Sequence, residues 1–175
     1  MIRRTAVATL ACLAMVLTAC GGPSLDDSEE RFDELRSETD AQLREVAPLI
    51  READVQINRT EGQEGRVGLP PREGKRYQAR VVLVPDPGDT KSEQAERVVR
   101  ALESAGWRRL DGGDLTDADP AMQLERDDFQ VKVEWQPRGG DFVVDIRKVG
   151  PDASVEFPEG AIAPGSSTPE PIELD

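Results

Sequence analysis

The 175-residue chain has no histidine, two cysteines, one tyrosine and two tryptophans. Without histidine it lacks the commonest general base and the commonest metal ligand. Cys12 lies inside an uncharged N-terminal run and Cys20 closes that run. The rest of the chain therefore offers neither a disulfide nor a catalytic thiol, and its stability must come from a packed core. Positive charge is also scarce, with 22 Lys and Arg against 35 Asp and Glu. Removing residues 1–19 takes away Arg3 and Arg4, leaving 20 basic against 35 acidic residues and a net charge of −15. Such an excess argues against nucleic acid as a partner and against a basic grip on anionic lipid. The longest apolar run, residues 6–17, is too short for a membrane span, which needs about 20 residues.

The N-terminus has the plan of a secretory signal. Arg3 and Arg4 precede the apolar run, and the small residues Thr18 and Ala19 follow it. The tetrad Leu17-Thr18-Ala19-Cys20 resembles the lipobox of bacterial lipoproteins. That resemblance implies a diacylglycerol on the Cys20 thiol, cleavage before Cys20 and acylation of the new amine. It puts the protein on the outer face of the cell membrane, with the membrane as its first partner. Two or more acyl chains hold far better than one. Residues 1–19 are then the signal peptide, and residues 20–25, with Gly21 and Gly22, form a lipidated tether. Arginine outnumbers lysine 18 to 4, as in a GC-rich genome.

Residues 26–57 read as an N-terminal amphipathic helix with a kink or a break near Ala47, before Pro48. Phe32, Leu35, Leu43, Val46, Ile50 and Ala53 recur at helical spacing, and Asp27 with Glu30 offers a capping box. Residues 58–75 carry Gly62, Gly65, Gly68, Pro70, Pro71 and Gly74 among charges, and read as a loop. Residues 76–149 read as an α+β core. Residues 77–84 predict a strand, and Thr90 with Glu93 caps a helix over 91–105 that stops at Gly106. Three further strands follow, over 122–126, 129–136 and 142–147; Asp127-Asp128 makes the turn between the first two, and Phe129, Val131, Val133 and Trp135 alternate with polar residues. The resulting fold class is α+β, a mostly antiparallel sheet of four to five strands with helices on one face. Residues 150–175 hold five prolines, six acids and no base, and predict a disordered acidic tail. A helix ending in Ala105-Gly106-Trp107 before a β-meander resembles small actinomycete lipoproteins of uncharacterised function.

Four features could carry chemistry. Asp111, Asp114, Asp117 and Asp119, set among glycines, could wrap a hard cation such as Ca²⁺, but their spacing departs from the EF-hand. Trp107 and Trp135 could form an aromatic platform, or fill the core. Acid pairs such as Asp127 with Asp128, or Glu125 with Glu134, could act as acid and base, yet they fall on turns and on the wet sheet face. Gln78, Arg80, Gln130, Lys132, Glu134, Asp145 and Arg147 should project from one polar sheet face, as a docking surface or as a solvated face. No nucleophile–base pair and no cofactor motif is evident. The expected function is a non-enzymatic surface lipoprotein that binds a protein or envelope component. The alternatives are a carrier of a small apolar or lipid ligand and, behind it, an enzyme using only carboxylates.

Overall fold

The computed structural model describes residues 22–69, 72–110, 114–118, 120–136, 140–162 and 168–174. Residues 1–19, which the sequence suggests are a signal peptide, and Cys20 lie outside these residues, as do Asp111 and Asp119. The first helix, α1 (Leu25–Glu52), begins one residue earlier than the sequence suggests. Its cap is Ser24, whose side chain accepts from the Asp27 amide at 3.1 Å. The helix runs through Pro48 without a break. Proline removes one backbone donor there, but Val46, Ala47 and Ile50 are fully buried on both sides of it and hold the helix to the sheet. Tertiary packing outweighs the local penalty.

Among the described residues eight antiparallel strands form one sheet, in place of the four to five expected: β1 (Ile57–Leu69), β2 (Arg72–Leu83), β3 (Arg108–Arg109), β4 (Ala121–Arg126), β5 (Phe129–Trp135), β6 (Phe142–Lys148), β7 (Val155–Phe157) and β8 (Glu170–Pro171). The order is β3-β4-β5-β6-β2-β1-β8, with β7 beside β2. β2 is long enough to pair with β6 along Gln78–Leu83 and with β7 along Glu73–Lys75. The fold is α+β, as the sequence indicates. The second helix, α2 (Lys91–Ser104), carries the anticipated Thr90–Glu93 capping box and ends before Gly106, whose φ of +91° suits glycine. Gln94, 1% exposed, ties α2 to the end of β2 by donating to the Val84 carbonyl at 3.0 Å and accepting from the Asp86 amide.

Both helices pack on one sheet face. Tyr77, Ala79, Val81 and Leu83 of β2, Val131 and Val133 of β5, and Val144 and Ile146 of β6 meet Leu43 and Ile50 of α1 and Val98, Val99 and Leu102 of α2. Trp107, 2% exposed, belongs to this core.

Two expectations fail in residues 58–75 and 150–175. The first is not a loop: it forms most of β1 and the start of β2, an antiparallel hairpin in one register from Arg59↔Val82 to Leu69↔Arg72, with a bulge between Ile57 and Arg59. Its helix-side positions are Thr60, Gly62, Glu64 and Arg66, so no apolar alternation marks the strand. Neighbouring chain supplies the apolar cover. A Cβ at Gly62 would overlap the Tyr77 hydroxyl, so Gly62 makes room for that ring. Ile172 and Leu174 from the tail join the core beside it. The tail, second, is not disordered over its described residues. Val155, Phe157, Ile162 and Ile172 are buried, and β7 and β8 extend the sheet.

Candidate functional site

The opposite sheet face carries neither helix, and its side chains form three rungs across the strands. One rung runs Gln63, Gln78, Arg147, Gln130, Glu125, Arg108. The next runs Glu61, Arg80, Asp145, Lys132, Gln123. The third runs Arg59, Val82, Val143, Glu134, Ala121. The seven polar residues singled out from the sequence are thus brought together. Period-2 alternation dictates this, because each strand that buries its odd-numbered or even-numbered set against the helices must present the other set outward.

The rungs hold five basic and four acidic residues. The face is therefore close to neutral in a strongly acidic protein, and the excess negative charge lies on the helices and connections. Arg80 grips Asp145 with two nitrogens, at 2.6 and 3.0 Å, and this bond raises the Arg80 pKa further. Arg147 donates to Gln130 at 3.0 Å, and Arg59 pairs with Glu61 at 3.0 Å. Arg108 pairs with Glu125 and Lys132 with Glu134. Glu125 and Glu134 thus sit in ion pairs rather than together as an acid and base. Val82 and Val143, opposite one another within the third rung between Arg59 and Glu134, are almost fully buried. A shallow hollow of about 180 Å³ lies over Gln78, Gln130, Lys132 and Asp145.

Of the aspartates in the other candidate, Asp114 and Asp117 fall among the described residues. Asp117 Oδ1 accepts from the Ser92 amide at 2.9 Å and from its hydroxyl at 2.8 Å, and these bonds lower its pKa. Asp117 thus ties its loop to the first turn of α2. Asp114 lines an open cleft of about 530 Å³ with Asp89, Glu93, Glu96, Arg97 and Arg109. Arg109 bridges Glu96 and Glu103, and Arg97 pairs with Asp89. Among the described residues no three acids converge in a way that could hold a metal ion. Trp135 is half-buried, stacked on Phe142 at 5.1 Å, with the Lys91 ammonium 5.2 Å from its ring centre. Both groups occupy the ring, which is not a free platform.

One polar constellation escaped the sequence reading. The hydroxyl of Tyr77, a 3% exposed residue, donates to Asp40 Oδ1 at 2.8 Å, and the Arg36 guanidinium lies 5.6 Å from the Tyr77 ring centre. Burial, then the bond to Asp40, pushes the Tyr77 pKa up. Burial also raises the Asp40 pKa, against the opposing pull of Tyr77, Arg36 and Arg44. Arg36 is held in turn by Glu170 of β8. The only sequence signal was a lone tyrosine on an apolar strand face, which would need a partner for its hydroxyl. The group locks α1, β2 and β8 together.

No known protein family, curated protein or solved structure matches this chain, so its function has to be argued from the residues themselves.

Proposed function

We propose that the protein is a lipoprotein held at the outer face of a bacterial cell membrane by acyl chains on Cys20, and that it works by binding a protein or envelope component on its open sheet face, without catalysis. The observation that carries this reading is the three-rung face. It is broad, near-neutral and rich in arginine and glutamine, and no described helix lies over it. A surface of oriented, partly paired charges suits recognition of a complementary partner, where charge placement sets specificity and register. The anchor fits the fold: α1 is capped at Ser24, four residues after Cys20, so at about 3.5 Å per residue the domain starts within roughly 14 Å of the lipid. No helix among the described residues is long and apolar enough to cross a membrane.

The carrier alternative has less support. Leu43, Ile50, Val81, Val98, Leu102, Leu124 and Val144 are fully buried between helices and sheet, and the larger clefts described open at the surface. The test is affinity capture from detergent-solubilised envelope with the full, lipidated protein. Arg80→Glu combined with Lys132→Glu should abolish capture of the specific partner while the circular-dichroism spectrum stays unchanged. Equal capture by the variant would remove the sheet face from the binding site.

A further inference from the structure

β2 carries two strands on the same edge, and the change from one to the other leaves a gap. β6 pairs with β2 as far as Gln78↔Arg147, and β7 takes up the edge only at Lys75↔Val155. Among the described residues no strand pairs with that edge at Arg76 and Tyr77. There the chain leaves the sheet through residues 149–154, turning at Gly150, whose φ is +88°. The result is a hollow of about 300 Å³ at one end of the open face, at the lower end of the size range of small-molecule sites. Val67, Val149 and Ala153 supply its apolar wall, and Arg76, Gln78 and Arg147 its polar side. Arg76 lies across Gly65, where a Cβ would come within 3.0 Å of its Nε. Gln78 and Arg147 also border the shallower hollow over Gln130 and Lys132, so the two adjoin.

The arginines of this hollow differ from their neighbours. In the three rungs Arg59 holds Glu61, Arg80 holds Asp145 and Arg108 holds Glu125. Arg147 donates to the neutral Gln130 amide instead, and neither Arg147 nor Arg76 has a carboxylate partner among the described residues. The described lining residues include no acid, in a chain with 35 acids against 22 bases. Lys148 borders the hollow as well, but its ammonium is taken by Glu38 and Asp128. Two exposed acids stand nearby without lining it: Asp152, 4.0 Å from Arg31, and Glu156, opposite Gly74. With the acidic start of α1 they repel an extended anionic surface or a polyanion, and they leave room for one singly charged group in direct contact with the arginines.

From this juxtaposition we propose that the hollow binds a single carboxylate on a short aliphatic stem. Arg76 and Arg147 hold the carboxylate by charge-assisted hydrogen bonds, for which the planar guanidinium presents parallel N–H donors. The Gln78 amide adds a neutral donor, and the stem lies on Val67, Val149 and Ala153. The apolar wall sets this ligand apart from inorganic phosphate or sulfate, which has no stem to bury and carries more charge for Asp152 and Glu156 to repel. Two sources offer this chemistry: the free C-terminus of a peptide ending in a small apolar residue, and a free short-chain acid. The inference deepens the open-face reading and rests on it for the partner, because the hollow shares Gln78 and Arg147 with that face.

Saturation-transfer NMR on the full protein in detergent micelles tests this with N-acetyl-alanyl-alanine, the C-terminal amide of the same dipeptide, and butyrate. Micelles without protein give the background. The acid dipeptide or butyrate should bind saturably, and the amide should not. Tighter binding of the dipeptide identifies a chain end as the ligand; butyrate binding as tightly identifies a free acid. Arg76→Gln and Arg147→Gln should each weaken binding at least about tenfold with the circular-dichroism spectrum unchanged. Ala153→Leu, which fills the hollow without altering a charge, should abolish it. No saturable binding of either carboxylate, equal binding of the amide, or full binding by the arginine variants overturns the proposal. The envelope capture separates this result from the open-face reading. Capture lost in Arg80→Glu with Lys132→Glu, beside absent carboxylate binding, keeps the open face and removes the hollow. Undiminished capture by that variant, beside carboxylate binding that needs Arg76 and Arg147, removes the open face and keeps the hollow.

Discussion

Tyr77 shows how one side chain can join three elements. Its ring lies over Gly62 of β1, packs edge-on to Phe32 of α1 at 6.4 Å, and its hydroxyl is bonded to Asp40. A buried phenol beside a carboxylate resists losing its proton, since the new charge would be desolvated and repelled. The folded pKa is raised above that of the unfolded chain, so the stability this group contributes is complete below about pH 10, the ordinary tyrosine value, and is lost as pH rises above it. Tyr77 is the chain's single tyrosine, so phenolate absorbance reports it alone. Titration of the native protein should show no phenolate until the fold itself opens, and Asp40→Asn should bring ionisation to lower pH. A normal, reversible titration near pH 10 in the folded protein would show that the hydroxyl is free.

At the scale of elements, legibility followed who supplies the apolar surface. α2 and β5 could be read because each carries its own stripe: Val98, Val99 and Leu102 in one, Phe129, Val131 and Val133 in the other. β1 could not, because Gly62 and Thr60 take the core positions and the cover comes from Tyr77 and Ile172, distant in sequence. The tail was obscured by its composition. Its prolines and acids surround a few apolar residues that reach the core, Val155 and Phe157 together on β7 and then Ile162 and Ile172. The open-face residues were legible from alternation alone, whereas the Tyr77–Asp40 pair depends on three-dimensional neighbours. If the tail is part of the fold, deleting residues 150–175 exposes core that it now covers. Burying each such side chain contributes about 1.5–3 kcal/mol, an upper estimate for chain that is partly collapsed when unfolded. Deletion should therefore lower the melting temperature by more than about 10 °C. A shift below about 3 °C would mean that β7 and β8 are incidental.

The whole molecule separates its charge. The open sheet face is nearly balanced, with five bases against four acids, while α1 alone carries three acids within its first five residues. The outermost strands, β3 and β8, have two residues each, and β8 pairs with only Glu61 and Gly62 of the 13-residue β1. One face is covered by the helices, and the proposed function assigns the other to a partner. Site-specific photo-crosslinking in intact cells tests this division most directly, with the cross-linker placed in the full-length chain at Lys132 on the open face or at Glu34 on the exposed side of α1. Discrete protein or envelope adducts should form from position 132 and not from position 34. Adducts from position 34 with none from position 132 would contradict the assignment of the sheet face as the binding surface.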